Sequence, residues 1–153
     1  MKRELVNESR VSFLSLSRNE GYARSAAAAF AVQTDPTVEE IAAVKTAVSE
    51  AVTNAIVHGY RDMLGVVEMT LRLYSDGTLY ISVKDKGRGI PDVKQAREPL
   101  YTTAPAEEER SGLGFTVMES FMDRLRVRSA VGKGTTVTME RRLNVREKQL
   151  DKR

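Results

Sequence analysis

Apolar and polar positions along the chain follow two periods, and the switches between them mark the elements. Val11, Phe13, Leu14 and Leu16 predict a strand over about 11–16. Ser17 then stands three residues before Glu20, the spacing of a capping box, and an alanine-rich helix follows over about 18–33. Asp35–Pro36 breaks it. Thr37 and Glu40 repeat the capping-box spacing and open a long helix to about His58, with Ile41, Val44, Val48, Val52, Ala55 and Ile56 at helical intervals. Gly59 supplies the stop. Strands are predicted over about 66–74 and 78–84, joined by a Ser75-Asp76-Gly77 hairpin turn. A helix over about 113–122 and strands over about 124–130 and 135–143 complete the pattern, the strands joined through Gly132-Lys133-Gly134. The order predicts a two-layer α/β sandwich, with helices on one face of a mixed β-sheet.

The stretch from Asp85 to Ser111 breaks both periods. It holds glycines, Pro91, Pro99, Pro105 and the run Glu107-Glu108-Glu109, and reads as a long loop with one short helix near 92–97. A loop of this length in a compact domain is usually functional or disordered. The 153 residues fit one domain, over 1–143, with a charged tail over 144–153. With 41% hydrophobic and 29% charged residues, the balance is that of an ordinary globular chain.

Charge and composition narrow the chemistry. Lys and Arg number 24 against 21 Asp and Glu, a mild excess interspersed along the sequence, which gives no reason to expect direct nucleic-acid binding. The absence of cysteine excludes disulfides, thiolate metal sites and cysteine nucleophiles. One histidine, His58, excludes sites that need two imidazoles. No stretch approaches the ~20 apolar residues of a membrane span, and no signal-peptide pattern opens the chain, so a cytoplasmic location is expected.

Four segments carry candidate chemistry. Glu50, Asn54 and His58 are spaced four apart, so a helix places them on one face; such a stripe is usually solvated, but this one is short and free of Lys and Arg. Asp85-Lys86-Gly87-Arg88-Gly89-Ile90 follows a strand directly; it is either a plain turn or a backbone that approaches a flat ligand. Arg110-Ser111-Gly112-Leu113-Gly114 precedes a helix, where exposed N–H groups form a phosphate cradle, or the glycines form a hinge. Gly132-Lys133-Gly134-Thr135-Thr136 alone reads as a hairpin turn.

In order, these segments resemble the four sequence boxes of the GHKL ATP-binding superfamily: E-x-x-x-N, D-x-G-x-G-I, G-x-G before a helix, then G-x-G-T. Within it, the runs Val48–Tyr60, Pro99–Thr103 and Glu109–Phe115 resemble the anti-sigma-F serine kinases of spore-forming bacteria, and less closely the anti-sigma-B kinases. The resemblance implies ATP/ADP and Mg²⁺ as cofactors. It makes Glu50 the general base, with Arg110 as a contact to the γ-phosphate. Asn54 becomes the magnesium ligand, and Asp85 the acceptor of the adenine amino group. Gly87, Gly89, Ile90, Gly134 and Thr135 are implied around the base. Thr102, Thr103, Ser111, Gly112, Leu113 and Gly114 are implied around the phosphates. Arg24, in the Tyr22-Ala23-Arg24 element, resembles an arginine that grips protein partners; a solvent-facing arginine is the plainer reading. His58 is expected to order the helix end rather than to titrate. The lid departs from close relatives at Thr103-Ala104-Pro105, where they often carry Lys before the proline.

The implied function is that of a homodimeric protein-serine kinase and anti-sigma factor. It would bind a sporulation sigma factor of the sigma-F type and phosphorylate an anti-anti-sigma protein on serine. A non-catalytic nucleotide-gated module and an anti-sigma-B type stress kinase are the alternatives. A histidine kinase needs a phosphoacceptor histidine on a dimerisation helix, and the one histidine here lies inside the nucleotide motif.

Overall fold

The computed structural model describes residues 3–99 and 114–144. The first strand, β1 (Leu5–Leu14), begins well upstream of the predicted 11–16. Its added residues, Leu5-Val6 followed by the polar run Asn7–Arg10, show no apolar alternation, but pairing with β2 (Val66–Tyr74) fixes them: Glu8 stands opposite Arg72 and accepts from its Nε at 2.7 Å.

Helix α1 (Asn19–Ala31) lacks the predicted Ser17–Glu20 capping box. The chain enters it through Arg18, already helical, and backbone carbonyls take the first free donors, with Asn19 N–H on Leu16 and Glu20 N–H on Ser17. The Glu20 carboxylate instead pairs with Arg24 one turn on, at 3.1 Å. After a 3₁₀ turn over Val32–Thr34, Asp35 takes a left-handed conformation and ends the helix.

The box at α2 (Val38–Thr53) is formed as predicted. Glu40 N–H donates to Thr37 Oγ1 at 3.0 Å, and Thr37 N–H donates to Glu40 Oε1 at 2.8 Å. Glu40 is buried, and its carboxylate also accepts the N–H of Asn144. Asn144, assigned from sequence to the charged tail, is therefore tied to the start of α2. Burial pushes the Glu40 carboxyl up, but its hydrogen bonds from Thr37 and Asn144 outweigh this and leave it below its ordinary value. Past Thr53 the expected regular helix gives way to a π-helical turn over Asn54–Gly59, closed by Tyr60 N–H on Ala55 O at 2.9 Å. Such turns are costly and concentrate at functional sites.

The sheet order is β1-β2-β3-β5-β4, with β3 (Thr78–Asp85), β4 (Arg124–Ala130) and β5 (Gly134–Arg142). Every pairing is antiparallel, which corrects the mixed sheet expected from sequence. Two hairpins, β2–β3 and β4–β5, force antiparallel neighbours, and a pair of helices between β1 and β2 returns the chain in the opposite sense. Short α3 (Val93–Ala96) and α4 (Gly114–Phe121) lie between β3 and β4. An ion pair between Arg97 and Glu119 links the end of α3 to α4.

One face of the sheet presents Val67, Met69, Leu71, Leu79, Ile81, Val83 and Met139 to the helices, all buried. Ala23, Ala27, Ala47 and Ala51 are also buried, and their small side chains let α1 and α2 approach each other and the sheet. Each large side chain so buried contributes about 1.5–3 kcal/mol. The other face is polar. Alternation along β4 sends Leu125 and Val127 to the core and leaves Arg124, Arg126 and Arg128 exposed on the open side. Strand geometry thus gathers on one face charges that look interspersed in the sequence.

Candidate functional site

At one end of the sandwich, α2 and its π-turn, the β3–α3 loop, the start of α4 and the β4–β5 turn enclose a cavity of ≈ 350 Å³. Glu50, Asn54 and His58 all line it, half-buried rather than solvated. The π-turn begins at Asn54, so Asn54 and His58 meet the cavity through a widened turn and not by regular helical spacing.

Asp85 ends β3 on the core-facing side and is only 5% exposed. Gly87 N–H donates to its Oδ1 at 2.9 Å. Burial raises the Asp85 carboxyl above its ordinary value, against the pull of the Gly87 and Thr135 N–H groups. Gly59, read from sequence only as a helix stop, makes room for this carboxylate: a Cβ there would lie 2.7–2.8 Å from its atoms. A side chain on Gly87 would strike the Gly59 carbonyl, and one on Gly89 the Ala130 carbonyl. The glycines of this loop are thus required first by its packing on its own protein, whatever else approaches it.

Hydrogen bonds hold the loop in place. Arg88 N–H donates to Gly59 O at 2.9 Å, and its guanidinium Nε donates to His58 O at 2.8 Å. Tyr60 Oη accepts Lys86 N–H and donates to Val66 O, both at 2.7 Å. Burial, with Arg61 and Arg88 nearby, pushes the His58 imidazole down to about 4, so it is neutral at pH 7. A histidine with a neutral ring and a backbone carbonyl that anchors Arg88 is consistent with the expected ordering role.

On the far wall, Thr135 is 7% exposed and stands opposite Asp85 in the β3–β5 register. Gly134, at φ 109°, turns the chain where a side chain would meet Asp85 O. Ile90 lines the cavity and packs on the core. Gly114 opens α4 against the first helix motif: a Cβ there would lie 3.3 Å from both amide atoms of Asn54 and 3.4 Å from Glu50 Oε2. The carboxylate, the amide and the start of α4 therefore converge at one end of the cavity, and Asp85 with Thr135 at the other.

The structure brings together Glu50, Asn54, His58, Asp85, Gly89, Ile90, Gly114 and Thr135 around this cavity. Arg24 does not line it; its guanidinium reaches Glu20 and, at 3.4 Å, Ser49 Oγ between α1 and α2. Thr102, Thr103, Arg110, Ser111, Gly112 and Leu113 lie outside the described residues. Two residues escaped the sequence reading. Tyr60 and Ser129 join segments distant in sequence through hydroxyl bonds, and no local pattern marks either one.

Residues 14–141 match the family model described as the histidine kinase-like ATPase domain. An anti-sigma F factor of Caldanaerobacter subterraneus subsp. tengcongensis is 54% identical over 137 residues, covering 89% of this chain and 94% of that protein. That of Geobacillus stearothermophilus is 52% identical over 136 residues, covering 88% and 92%. The chain belongs to the anti-sigma F group of the histidine-kinase-like ATPase family. Among solved structures, the RsbU and RsbW domains of a Mycobacterium tuberculosis protein superpose with a TM-score of 0.65 at 21% identity, over 90% of this chain and 32% of that one. A blue-light activated histidine kinase of Erythrobacter litoralis gives 0.58 at 28% identity, over 74% and 34%. These structures share the fold, and an ATPase domain of this family is a nucleotide-binding domain.

Proposed function

We propose that this chain is an ATP-dependent protein-serine kinase that also binds and inhibits a sporulation sigma factor of the sigma-F type. The observation that carries the reading is the two-ended cavity. An acceptor pair, Asp85 and Thr135, suits a base that presents an amino group, and Glu50 with Asn54 meets the start of α4 where phosphates would lie.

The donor set fits magnesium. Among the described residues no cluster of His, Cys, Asp and Glu could cage a metal ion, whereas Mg²⁺ keeps its waters and takes one or two protein oxygens beside phosphate. Asn54 would hold it through its amide oxygen, and the ion would neutralise charge on the phosphates. Glu50, one turn before Asn54, would accept the proton of an incoming serine hydroxyl. That oxygen forms a bond to the γ-phosphorus as the bond to the β-bridging oxygen breaks, and ADP leaves. Arg110, Thr102, Thr103, Ser111, Gly112 and Leu113 would contact the phosphates, as the resemblance implies. Arg24, outside the cavity, is left for partner proteins, namely the sigma factor and the anti-anti-sigma substrate.

The test uses the full chain, labelled ATP, Mg²⁺ and an anti-anti-sigma protein of the same genome. Glu50→Gln should bind ATP and retain the sigma factor, yet transfer phosphate at least about 10²-fold more slowly. Transfer by Glu50→Gln at the normal rate removes Glu50 as the base. No transfer by the unaltered chain, with ATP bound, leaves a nucleotide-gated module and not a kinase.

A further inference from the structure

The hydroxyl of Ser129 sits at a junction of three polar groups next to the cavity. Ile90 N–H points to its Oγ at 2.7 Å, Gly134 O lies 3.1 Å away, and Thr135 Oγ1 lies 2.8 Å away. A serine hydroxyl has one proton to give and two lone pairs to accept with. Ile90 N–H can only donate, and Gly134 O can only accept. If Ser129 gives its proton to Gly134 O, Thr135 must donate to the second lone pair of Ser129, and all three contacts are hydrogen bonds. If Ser129 gives its proton to Thr135, the contact with Gly134 O is lost. The first arrangement satisfies more groups in a half-buried place, where an unmade bond is costly. In it the Thr135 proton is committed away from the cavity, and Thr135 shows the cavity only lone pairs.

We propose that Ser129 is a positioning residue that fixes Thr135 as an acceptor toward the cavity and so sets the preference for a purine bearing a 6-amino group. The proposal rests on the reading of this cavity as a nucleotide site. Thr135 then acts with the buried carboxylate of Asp85, its partner in the β3–β5 register, to form a floor of acceptors. An amino group can donate to that floor. A 6-oxo purine sets an acceptor against acceptors, and a buried polar mismatch of this kind discriminates strongly. Ser129 also ties Ile90 of the Asp85 loop to the β4–β5 turn, so one hydroxyl sets both the spacing of the two walls and the polarity of one.

The experiment measures the affinity of the full chain for ATP and for inosine triphosphate, which carries a 6-oxo group and an N1–H where ATP has a 6-amino group and a bare N1. The unaltered chain should favour ATP. In Ser129→Ala the Thr135 hydroxyl is free to turn and donate to the 6-oxo group, so the preference should shrink by about tenfold. Ser129→Thr, which keeps the hydroxyl, should restore it. Thr135→Val should shrink the preference as well, and adding Ser129→Ala to it should shrink it no further, because the two act as one unit. A preference unchanged in Ser129→Ala overturns the proposal. So does an equal loss of both nucleotides, or an effect of Ser129→Ala that persists undiminished beside Thr135→Val, since either marks a structural role alone. Failure of the unaltered chain to bind ATP would instead remove the nucleotide reading itself.

Discussion

His58 is the residue whose charge state the fold changes most plainly. Its imidazole is pushed down to about 4, against about 6.5 in an unfolded chain. Between those values the unfolded state takes up a proton that the folded state refuses. Stability from this group is therefore intact above pH 6.5, falls as the pH drops toward 4, and changes no further below it. The loss is at most ~3 kcal/mol, and less because part of the ring meets solvent. Denaturant titrations between pH 7 and 4 should show this slope, and His58→Gln should flatten it; an equal slope in the variant would assign it to other groups. Neither Tyr60 nor Ser129 announces a comparable role in the sequence. Their hydroxyls act on Lys86 and Ile90, 26 and 39 residues away in the chain, and only the folded backbone puts them in reach.

At the scale of elements, the two capping-box spacings show how much local sequence decides. Thr37 and Glu40 form theirs because the chain arrives extended at Thr37, and the Glu40 carboxylate stays on the Thr37 N–H although Arg141 also acts on it. Ser17 and Glu20 have the same spacing, but Arg24 takes the Glu20 carboxylate and Arg18 is already helical. The early part of β1 was hidden for a related reason: Glu8 and Arg72 stabilise a pairing that apolar periodicity does not register. The π-turn at Asn54–Gly59 was invisible because Ala55 and Ile56 continue the apolar spacing of α2, which does not register a widened turn. Glu40 joins two elements, since it caps α2 and accepts Asn144 N–H after β5. Glu40→Ala should destabilise the chain by about 1–3 kcal/mol through the lost cap and the stranded N–H groups. Thermal or denaturant unfolding measures this, and a loss below about 0.5 kcal/mol would show that the Asn144 tie carries no weight. Because the folded state holds Glu40 below its ordinary value, its contribution is present above about pH 4.5 and is lost as the pH falls through the folded value.

At the scale of the molecule, one sheet divides the labour. Its inner face builds the core with the helices, its outer face carries the arginines of β4, and the cavity forms at the end where the π-turn, the β3–α3 loop and the β4–β5 turn meet. Most of that cavity was legible in advance, since Glu50, Asn54, Asp85 and Thr135 fall in ordered motifs whose spacing survives in a linear string. What the string lacked was the reason for the glycines, which lies in the close approach of Gly87 to the Gly59 carbonyl and of Gly89 to the Ala130 carbonyl. The strand directions were also missing, since they depend on how helices return the chain. Asp85 stands at the centre of this arrangement, buried and raised above its ordinary value, a charge kept at some cost to the fold. Titration of the full chain and of Asp85→Asn with ATP and Mg²⁺, beside thermal melting of both, tests the account at that point. Asp85→Asn should melt at the same temperature or slightly higher, because the amide keeps an oxygen for Gly87 N–H and removes a buried charge, while ATP affinity should fall by about 100-fold or more. An Asp85→Asn protein that binds ATP as tightly as the unaltered chain would contradict it.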